Sequence, residues 1–568
     1  MDADRPWYRF YEPSVPHGID LPEMALHEVL DRAAATWPDR VAVRFFVNPG
    51  LPPATLRYAE LAEATRRFAL ALSHLGVKKG DRVALMLPNC PQFVIAFYAV
   101  LRLGAIAVNT NPLYVSREMA HQFADAGAET VLLLDQFYPR MQEAQGQTQV
   151  KRVIVTDVAE TLTWWARAVV HAVQRKHGER VTVRPQGDIF SFQALLAAHG
   201  PHPPQVAVAP GDVALFQYTG GTTGTPKAAM LTHRNLMANV LQIDAWFTTA
   251  DKGQEVMLAI LPFFHVYGMT LCLLYGLWCG AEIVVMPRPR PIDHVMKILQ
   301  RTHASVFPGV PTLYTAINHH PKVRHFDLSS VKICLSGSAP LPMEVQQQFE
   351  TLTGGKLVEG YGLSETSPVT HANPLAGTRR PGSIGLPLPG TDARVVDLET
   401  KKPLPVGEVG ELSMYGPQVM KGYWNRPEET AAALRDGWFY SGDIGRMDED
   451  GFFYIVDRAK DMISASGLKV LPRDVEEVLF THPAVAEAVV AGVPDPYRGE
   501  TVKAWIVLKP GATATAEEIT AHCKQGLAAF KVPKLIEFRT ELPKTMVGKI
   551  LRRVLQEEEK AKKGTGTN

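Results

Sequence analysis

The stretch YTGGTTGTPKAAMLTHRNL, Tyr218 to Leu236, decides how the rest of the chain is read. Its first ten residues set three glycines, four threonines and a proline ahead of one lysine, Lys227. Glycine lets backbone N–H groups approach a polyphosphate closely, and threonine hydroxyls add donors without adding charge. Lysine supplies a mobile cation for the outer phosphates. A Walker loop ends in Gly-Lys-Ser/Thr. Here Gly224 is followed by Thr225, Pro226 and only then Lys227, so the spacing excludes that loop. Read alone, the stretch is either another kind of phosphate cradle or a flexible surface turn.

Around it, short β-branched runs recur between helix-like segments: RVALML, TVLLLD, RVIVTD, EIVVM and VKICLSGS. Continuous apolar runs of this length suit strands covered by helices on both faces, so the fold class expected is α/β. From about residue 380 to 457 the texture changes to short strands and turns, which predicts a small β-rich subdomain. Beyond DRAKD, Asp457 to Asp461, a compact mixed segment gives helix then strand twice. The expected division is 1–459 and 460–568, and the closing EEEKAKKGTGTN reads as a frayed tail. There are no internal repeats.

At 568 residues the chain is too long for one core, so two or more domains are expected. A net charge of +1 gives no global field for nucleic acid. The cysteines (Cys90, Cys272, Cys279, Cys334, Cys523) are scattered and form no C-x-x-C pair, which disfavours a zinc cage or disulfide framework and fits a reducing cytosol. MDADRPWYRFYEP lacks an apolar h-region, so no secretory signal is expected. FVIAFYAVLRLGAIAV and MTLCLLYGLWCGAEIVVM, interrupted by Arg102 and Glu282, fall short of a clean membrane span and read as buried helix and strand.

Four further motifs follow the loop in order: EGYGLSETSP (Glu359 to Pro368), GWFYSGDIG (Gly437 to Gly445), DRAKDMISASGLKVLPRDVE (Asp457 to Glu476) and LPKTMVGKILRRVL (Leu542 to Leu555). With the loop they resemble the signatures of the acyl-adenylate-forming superfamily: acyl-CoA synthetases, luciferases and peptide-synthetase adenylation domains. The resemblance spans roughly residues 25 to 556. LPNCPQFVIAFYAVLRLGAIAVNTNPLY and LPFFHVYGMT look like the long-chain fatty-acid–CoA ligase branch. It implies a large N-terminal domain of stacked mixed α/β sheets, a small β-barrel-like subdomain and a small mobile α+β C-terminal domain. The implied chemistry has two halves. A carboxylate attacks the α-phosphate of MgATP, giving acyl-AMP and pyrophosphate, and the thiol of CoA then displaces AMP.

Carried over residue by residue, the resemblance places Thr219, Gly220, Gly221, Thr222, Thr223, Gly224, Thr225, Pro226 and Lys227 around the pyrophosphate end of ATP, with Thr219 near the metal. Glu365 corresponds to the Mg²⁺ carboxylate; a cation bridging phosphate oxygens commonly uses only one or two protein carboxylates. Tyr361 corresponds to the ring on adenine, within Glu359, Gly360, Gly362 and Ser364, where most relatives carry threonine at 364. Gly337, Ser338 and Ala339 line the other side. Asp443 would take both ribose hydroxyls, since an ionised Asp offers two acceptor oxygens. Arg458 would lie beside ribose and phosphate. Lys549 matches the adenylation lysine that bridges carboxylate and α-phosphate, while Arg552 and Arg553 serve structure or the surface. Lys460 falls at the hinge, and Gly467 and Lys469 at the CoA side. His265 stands near the reacting carboxylate. Met269 replaces the tryptophan gate of some long-chain relatives, and Asp474 replaces a usual glutamate.

One segment stands outside these motifs. LTWWARAVVHAVQRKHGER, Leu162 to Arg180, sets Arg167, His171 and Arg175 four residues apart, with Trp165, Val169, Val170 and Val173 largely on another face. It is either an interfacial membrane helix or an ordinary amphipathic helix packed on the large domain. The expected activity is an AMP-forming ligase for medium- to long-chain fatty acids, cytoplasmic or peripheral on the inner face of a membrane, with a homodimer as one assembly. A ligase for an aryl or branched acid, a loader of a carrier protein, and a non-catalytic acyl or nucleotide binder stay open beside it.

Overall fold

The computed structural model describes residues 5–219, 226–458, 461–465, 468–495, 499–545 and 550–564. Two compact units organise the chain. The larger is built from Tyr8–Asp392 and Tyr415–Phe439, the smaller from Ala393–Met414, the chain from Tyr440 onward and the N-terminal segment through Trp7.

The larger unit is α/β, for the reason its apolar runs suggest. Arg82–Met86, Ile106–Asn109, Thr130–Leu134, Arg152–Thr156 and Ile189–Ser191 are parallel strands of one eight-stranded sheet. Thr130–Leu134 and Ile106–Asn109 are buried at every position, as strands covered on both faces must be. Val213–Thr219 continues the parallel order beside Ile106–Asn109, and then the chain reverses. Lys227–Thr232 returns antiparallel to it, with Thr219 opposite Lys227. Gly422–Tyr423 closes that edge, placing Tyr423 opposite Ala229. The hairpin that carries the glycine- and threonine-rich loop therefore leaves a strand whose other neighbour is parallel and buried.

A second layer carries Val256–Ala259, Glu282–Val285, Val41–Phe45 and Ala54–Arg57. Bridges at Val306 join Met257 to Ile333, and through it to Ile333–Ser336, Lys356–Gly362 and Val369–Ala372. Both long apolar runs resolve into helix followed by strand. Pro91–Arg102 is buried on all sides through Leu101 before Ile106–Asn109. Met269–Leu274, a π-helical turn, leads through Tyr275–Trp278 to Glu282–Val285. No helix among the described residues is long and apolar enough to cross a membrane. All five cysteines are buried thiols.

In the smaller unit, Val485–Asp495 and Gly499–Leu508 form a long antiparallel pair, and Leu535–Arg539 adds parallel to the second. The helices Pro472–Phe480 and Ala516–Gly526 lay Val475, Leu479 and Ile519 on Val490 and Ile506 to make its core. Trp438–Met447 pairs with Phe453–Arg458, and that register sets Asp443 opposite Arg458.

Candidate active site

The edge of the eight-stranded sheet assembles a charged cluster in the larger unit. Lys227, first residue of its strand, points its ammonium over the Tyr423 ring at 5.5 Å and lies 4.0 Å from Glu429 Oε1. A cation over a ring face is attracted by the ring quadrupole. The Tyr423 hydroxyl donates to Glu365 Oε1 at 2.8 Å. Burial first, then the Glu365 carboxylate, pushes the Tyr423 phenol well above its ordinary value, so it stays a donor. Glu365 is placed by the short turn Ser364–Thr366, whose carbonyl at 365 accepts the Met420 N–H at 2.8 Å. One phenol thus stands between the lysine and the carboxylate that the sequence singles out.

The strand leading into the loop is fixed from the other side. Tyr218 donates its hydroxyl to Asp125 Oδ2 at 2.7 Å, and Arg426 Nη2 donates to Asp125 Oδ1 at 2.8 Å. Trp424 Nε1 donates to the Asp125 carbonyl at 3.1 Å. Burial and the Asp125 carboxylate together raise the Tyr218 phenol. Thr219 follows at once, its hydroxyl 3.5 Å from the Lys227 carbonyl. Gly220, Gly221, Thr222, Thr223, Gly224 and Thr225 lie outside the described residues.

The glycine positions of the next motif are steric necessities. A Cβ on Gly362 would sit 2.0 Å from the Pro368 carbonyl oxygen, and one on Gly360 2.9 Å from the Leu335 side chain. Tyr361 stands edge-on to His371, ring centroids 6.0 Å apart. Glu359 is buried and accepts the Leu341 N–H at 3.2 Å, which ties this strand to the Gly337–Ala339 turn. A Cβ on Gly337 would meet the Tyr267 ring at 3.1 Å, and Ser338 takes φ +69°. Tyr267 props that turn by donating to the Leu335 carbonyl at 2.8 Å. His265 caps the short turn before it, its Nδ1 accepting the Tyr267 N–H at 3.2 Å. Met269 is fully buried, with Sδ 3.5 Å from Asn109 Nδ2.

In the smaller unit Asp443 is buried, and its N–H donates to Ser441 Oγ at 3.0 Å. Arg458 ends the partner strand, and its side chain, like that of Lys469 in Leu468–Val470, lies outside the described residues. Lys460, Gly467 and Lys549 lie outside them altogether. Arg552 is enclosed by Glu476 at 2.7 Å, Asp461 at 3.1 Å and Asp457 at 3.8 Å, which makes it structural. Arg553 pairs one helical turn on with Glu557 at 2.6 Å. Asp474 is engaged by Lys531.

Residues 30–424 match the family described as AMP-binding enzyme, and residues 474–549 match the AMP-binding enzyme C-terminal domain. The chain belongs to the AMP-binding enzyme family. Among curated members it is 47% identical over 564 residues to the long-chain-fatty-acid–CoA ligase of Bacillus subtilis (strain 168), spanning 98% of this chain and 99% of that one. Among solved structures it resembles the anthranilate CoA ligase AuaEII in complex with anthranoyl-AMP, with TM-score 0.83, 26% identity and coverage of 96% and 99%. ATP-bound MatB from Rhodopseudomonas palustris gives TM-score 0.81, 29% identity and coverage of 94% and 99%.

Within this AMP-binding enzyme the residues not foreseen from sequence are Tyr423, Asp125, Arg426 and Glu429. Three of the four fall in KGYWNRPEET, Lys421 to Thr430, a stretch crowded with rings and charges whose partners lie far away in sequence. Glu365 with the Thr219 hydroxyl offers hard oxygen donors that fit Mg²⁺ shared with phosphate oxygens. Among the described residues no cluster of three or more His, Cys, Asp or Glu could cage a metal without substrate.

Proposed function

We propose that the protein is an ATP-dependent, AMP-forming fatty acid–CoA ligase working through an acyl-AMP intermediate, with medium- to long-chain acids as substrates. The observation that carries the reading is near full-length identity of 47% to a long-chain-fatty-acid–CoA ligase, in a chain that brings Lys227, Tyr423 and Glu365 together.

The residues divide the work. The 219–227 hairpin holds the β- and γ-phosphates as a leaving group, with Lys227 offsetting their charge. Glu365 and Thr219 hold Mg²⁺, which when bound polarises the phosphate oxygens. Tyr361 and the Gly337–Ala339 turn take adenine, Asp443 and Arg458 take ribose, and His265 lies toward the acyl carboxylate. Lys549 stabilises the pentacoordinate phosphorus as the carboxylate oxygen bonds to Pα and the bond to pyrophosphate breaks. The CoA sulfur then bonds to the acyl carbon and AMP leaves, with Gly467 and Lys469 on the CoA side and rotation about Lys460 separating the two halves. A homodimer and a peripheral membrane contact through 162–180 are proposed beside this activity and do not depend on it.

Nucleotide analysis tests it. Purified protein with MgATP, palmitate and CoA should release AMP and pyrophosphate in equal amounts, and Glu365→Gln should suppress both. Release of ADP and phosphate would contradict the reading.

A further inference from the structure

The helix Trp164–Lys176 is turned the wrong way round for a surface helix. Helical spacing groups Trp164, Trp165, Ala168, Val169, Ala172 and Val173 on one side. That side faces outward: Trp164 is 83% exposed, Trp165 43%, Val169 45% and Val173 51%. Ala166, Val170 and Gln174 are the buried residues. Val170 therefore parts company with the valines the sequence grouped it with.

What holds the helix in this orientation is polar. His171 Nε2 hydrogen-bonds the Asp157 carboxylate, and Arg167 Nη2 lies 3.5 Å from the same oxygen. Arg180 holds Asp135 at 2.6 Å and stands 3.7 Å from Asp157. Asp157 is itself 7% exposed, so His171 and Arg180 meet it below the helix, and Arg167 reaches it from a half-exposed position. Water-soluble helices bury the apolar stripe and expose the charges. Here the charges anchor and the apolar stripe is presented.

We propose that this face docks on an anionic lipid bilayer, lying flat in the headgroup region. Charge selects the partner. Residues 162–180 carry four Lys/Arg against one acid, Glu179, in a chain whose net charge is only +1. Arg167 and Arg180 are engaged by Asp157 and Asp135, whereas Arg175 and Lys176 are exposed at its C-terminal end. Apolar residues with a Trp pair and flanking cations are the pattern of an interfacial helix. Length excludes a span: 13 residues reach ~20 Å, short of the ~30 Å hydrocarbon core. Area disfavours a second copy as occupant. A strip ~20 Å long and ~10 Å wide offers about 200 Å², against ~800 Å² per partner in a stable protein interface. Docking would set the enzyme where long acyl carboxylates partition; that consequence alone rests on the function proposed above.

Vesicle co-sedimentation of the full chain, without ATP or acyl substrate, tests the docking separately from catalysis. Wild-type protein should pellet with phosphatidylcholine vesicles containing 30% phosphatidylglycerol, less with phosphatidylcholine alone, and less in high salt. Trp164→Ser with Trp165→Ser should weaken that binding at least about tenfold at unchanged Tm, because both indoles already face water. Arg175→Glu with Lys176→Glu should abolish the preference for phosphatidylglycerol. Wild-type protein that stays in the supernatant, or a tryptophan variant that pellets like wild type, overturns the proposal. So does a wild-type dimer in sedimentation equilibrium that the tryptophan pair converts to monomer without any vesicle binding, which would give the face to a second copy.

Discussion

Tyr423 and Glu365 are bonded phenol to carboxylate at 2.8 Å, across 58 residues of chain. The phenol gives the carboxylate one fixed donor and so sets which way its second oxygen points. Tyr423→Phe keeps the ring under Lys227 and deletes only that donor. A hydrogen bond to a charged group contributes about 1.5–3 kcal/mol, so kcat/KM for MgATP should fall roughly ten- to a hundredfold. A Mg²⁺ titration checks it: the half-saturating Mg²⁺ concentration should rise, and an unchanged one would separate Tyr423 from the metal.

Asp125 is a positioning residue for the hairpin, accepting from Tyr218 and Arg426 while it touches neither phosphate candidate. Asp125→Asn leaves Arg426 without its carboxylate in a partly buried setting. The expected cost is about 1–3 kcal/mol, reduced from a fully buried pair because Arg426 retains 28% exposure. Thermal melting should show a lower Tm, and the KM for ATP should rise more than kcat falls.

Gly362 and Gly382 contrast a steric reason for glycine with a backbone one. A methyl at Gly362 meets the Pro368 carbonyl oxygen at 2.0 Å, whereas Gly382, at φ +82°, has open space around it. Gly382→Ala should cost ~1–2 kcal/mol for the left-handed backbone alone. Gly362→Ala, at a backbone outside the left-handed region, meets the steric clash instead and should cost more than ~3 kcal/mol, read as a loss of soluble folded protein. Equal stabilities would contradict the packing at Pro368.

His27 and His233 give a signed pH dependence. Burial first, then Arg102, holds His27 down to about 4; burial first, then His27, holds His233 down to about 3. His233 Nδ1 accepts the Leu26 N–H at 3.1 Å, a bond that needs the neutral ring. Below about 6.5 the unfolded chain binds protons that the folded chain refuses. Their contribution is therefore complete above 6.5 and lost as pH falls toward 4, by up to ~1.4 kcal/mol per pH unit per histidine. Asp135, pushed up to about 6 by burial and then Asp157, has the opposite sign between its unfolded value near 4 and 6, and offsets one of the two. Urea midpoints should fall from pH 7 to pH 5, and His233→Gln should flatten the slope.

The sheet strands were legible in sequence because a strand covered on both faces must be apolar throughout, as TVLLLD is at Thr130–Leu134. Motif order singles out Glu365 and Lys227, and both meet Tyr423 in the fold. Tyr423 itself was not legible, because its place depends on pairing Gly422–Tyr423 with Ala229–Met230, a contact across more than 190 residues that local pattern does not encode. For the helix Trp164–Lys176, periodicity separates two faces but leaves open which one turns inward. Asp157, at the end of the preceding strand, decides that by drawing in Arg167 and His171.

The most direct measurement is mass spectrometry of the products from purified protein, MgATP and a panel of octanoate to oleate, with and without CoA. The expected result is AMP with an acyl-CoA that forms only when CoA is present, with turnover greatest on the longer acids. Acyl-AMP that accumulates and ignores CoA, or ATP left intact with every acid, would contradict the assignment as a fatty acid–CoA ligase.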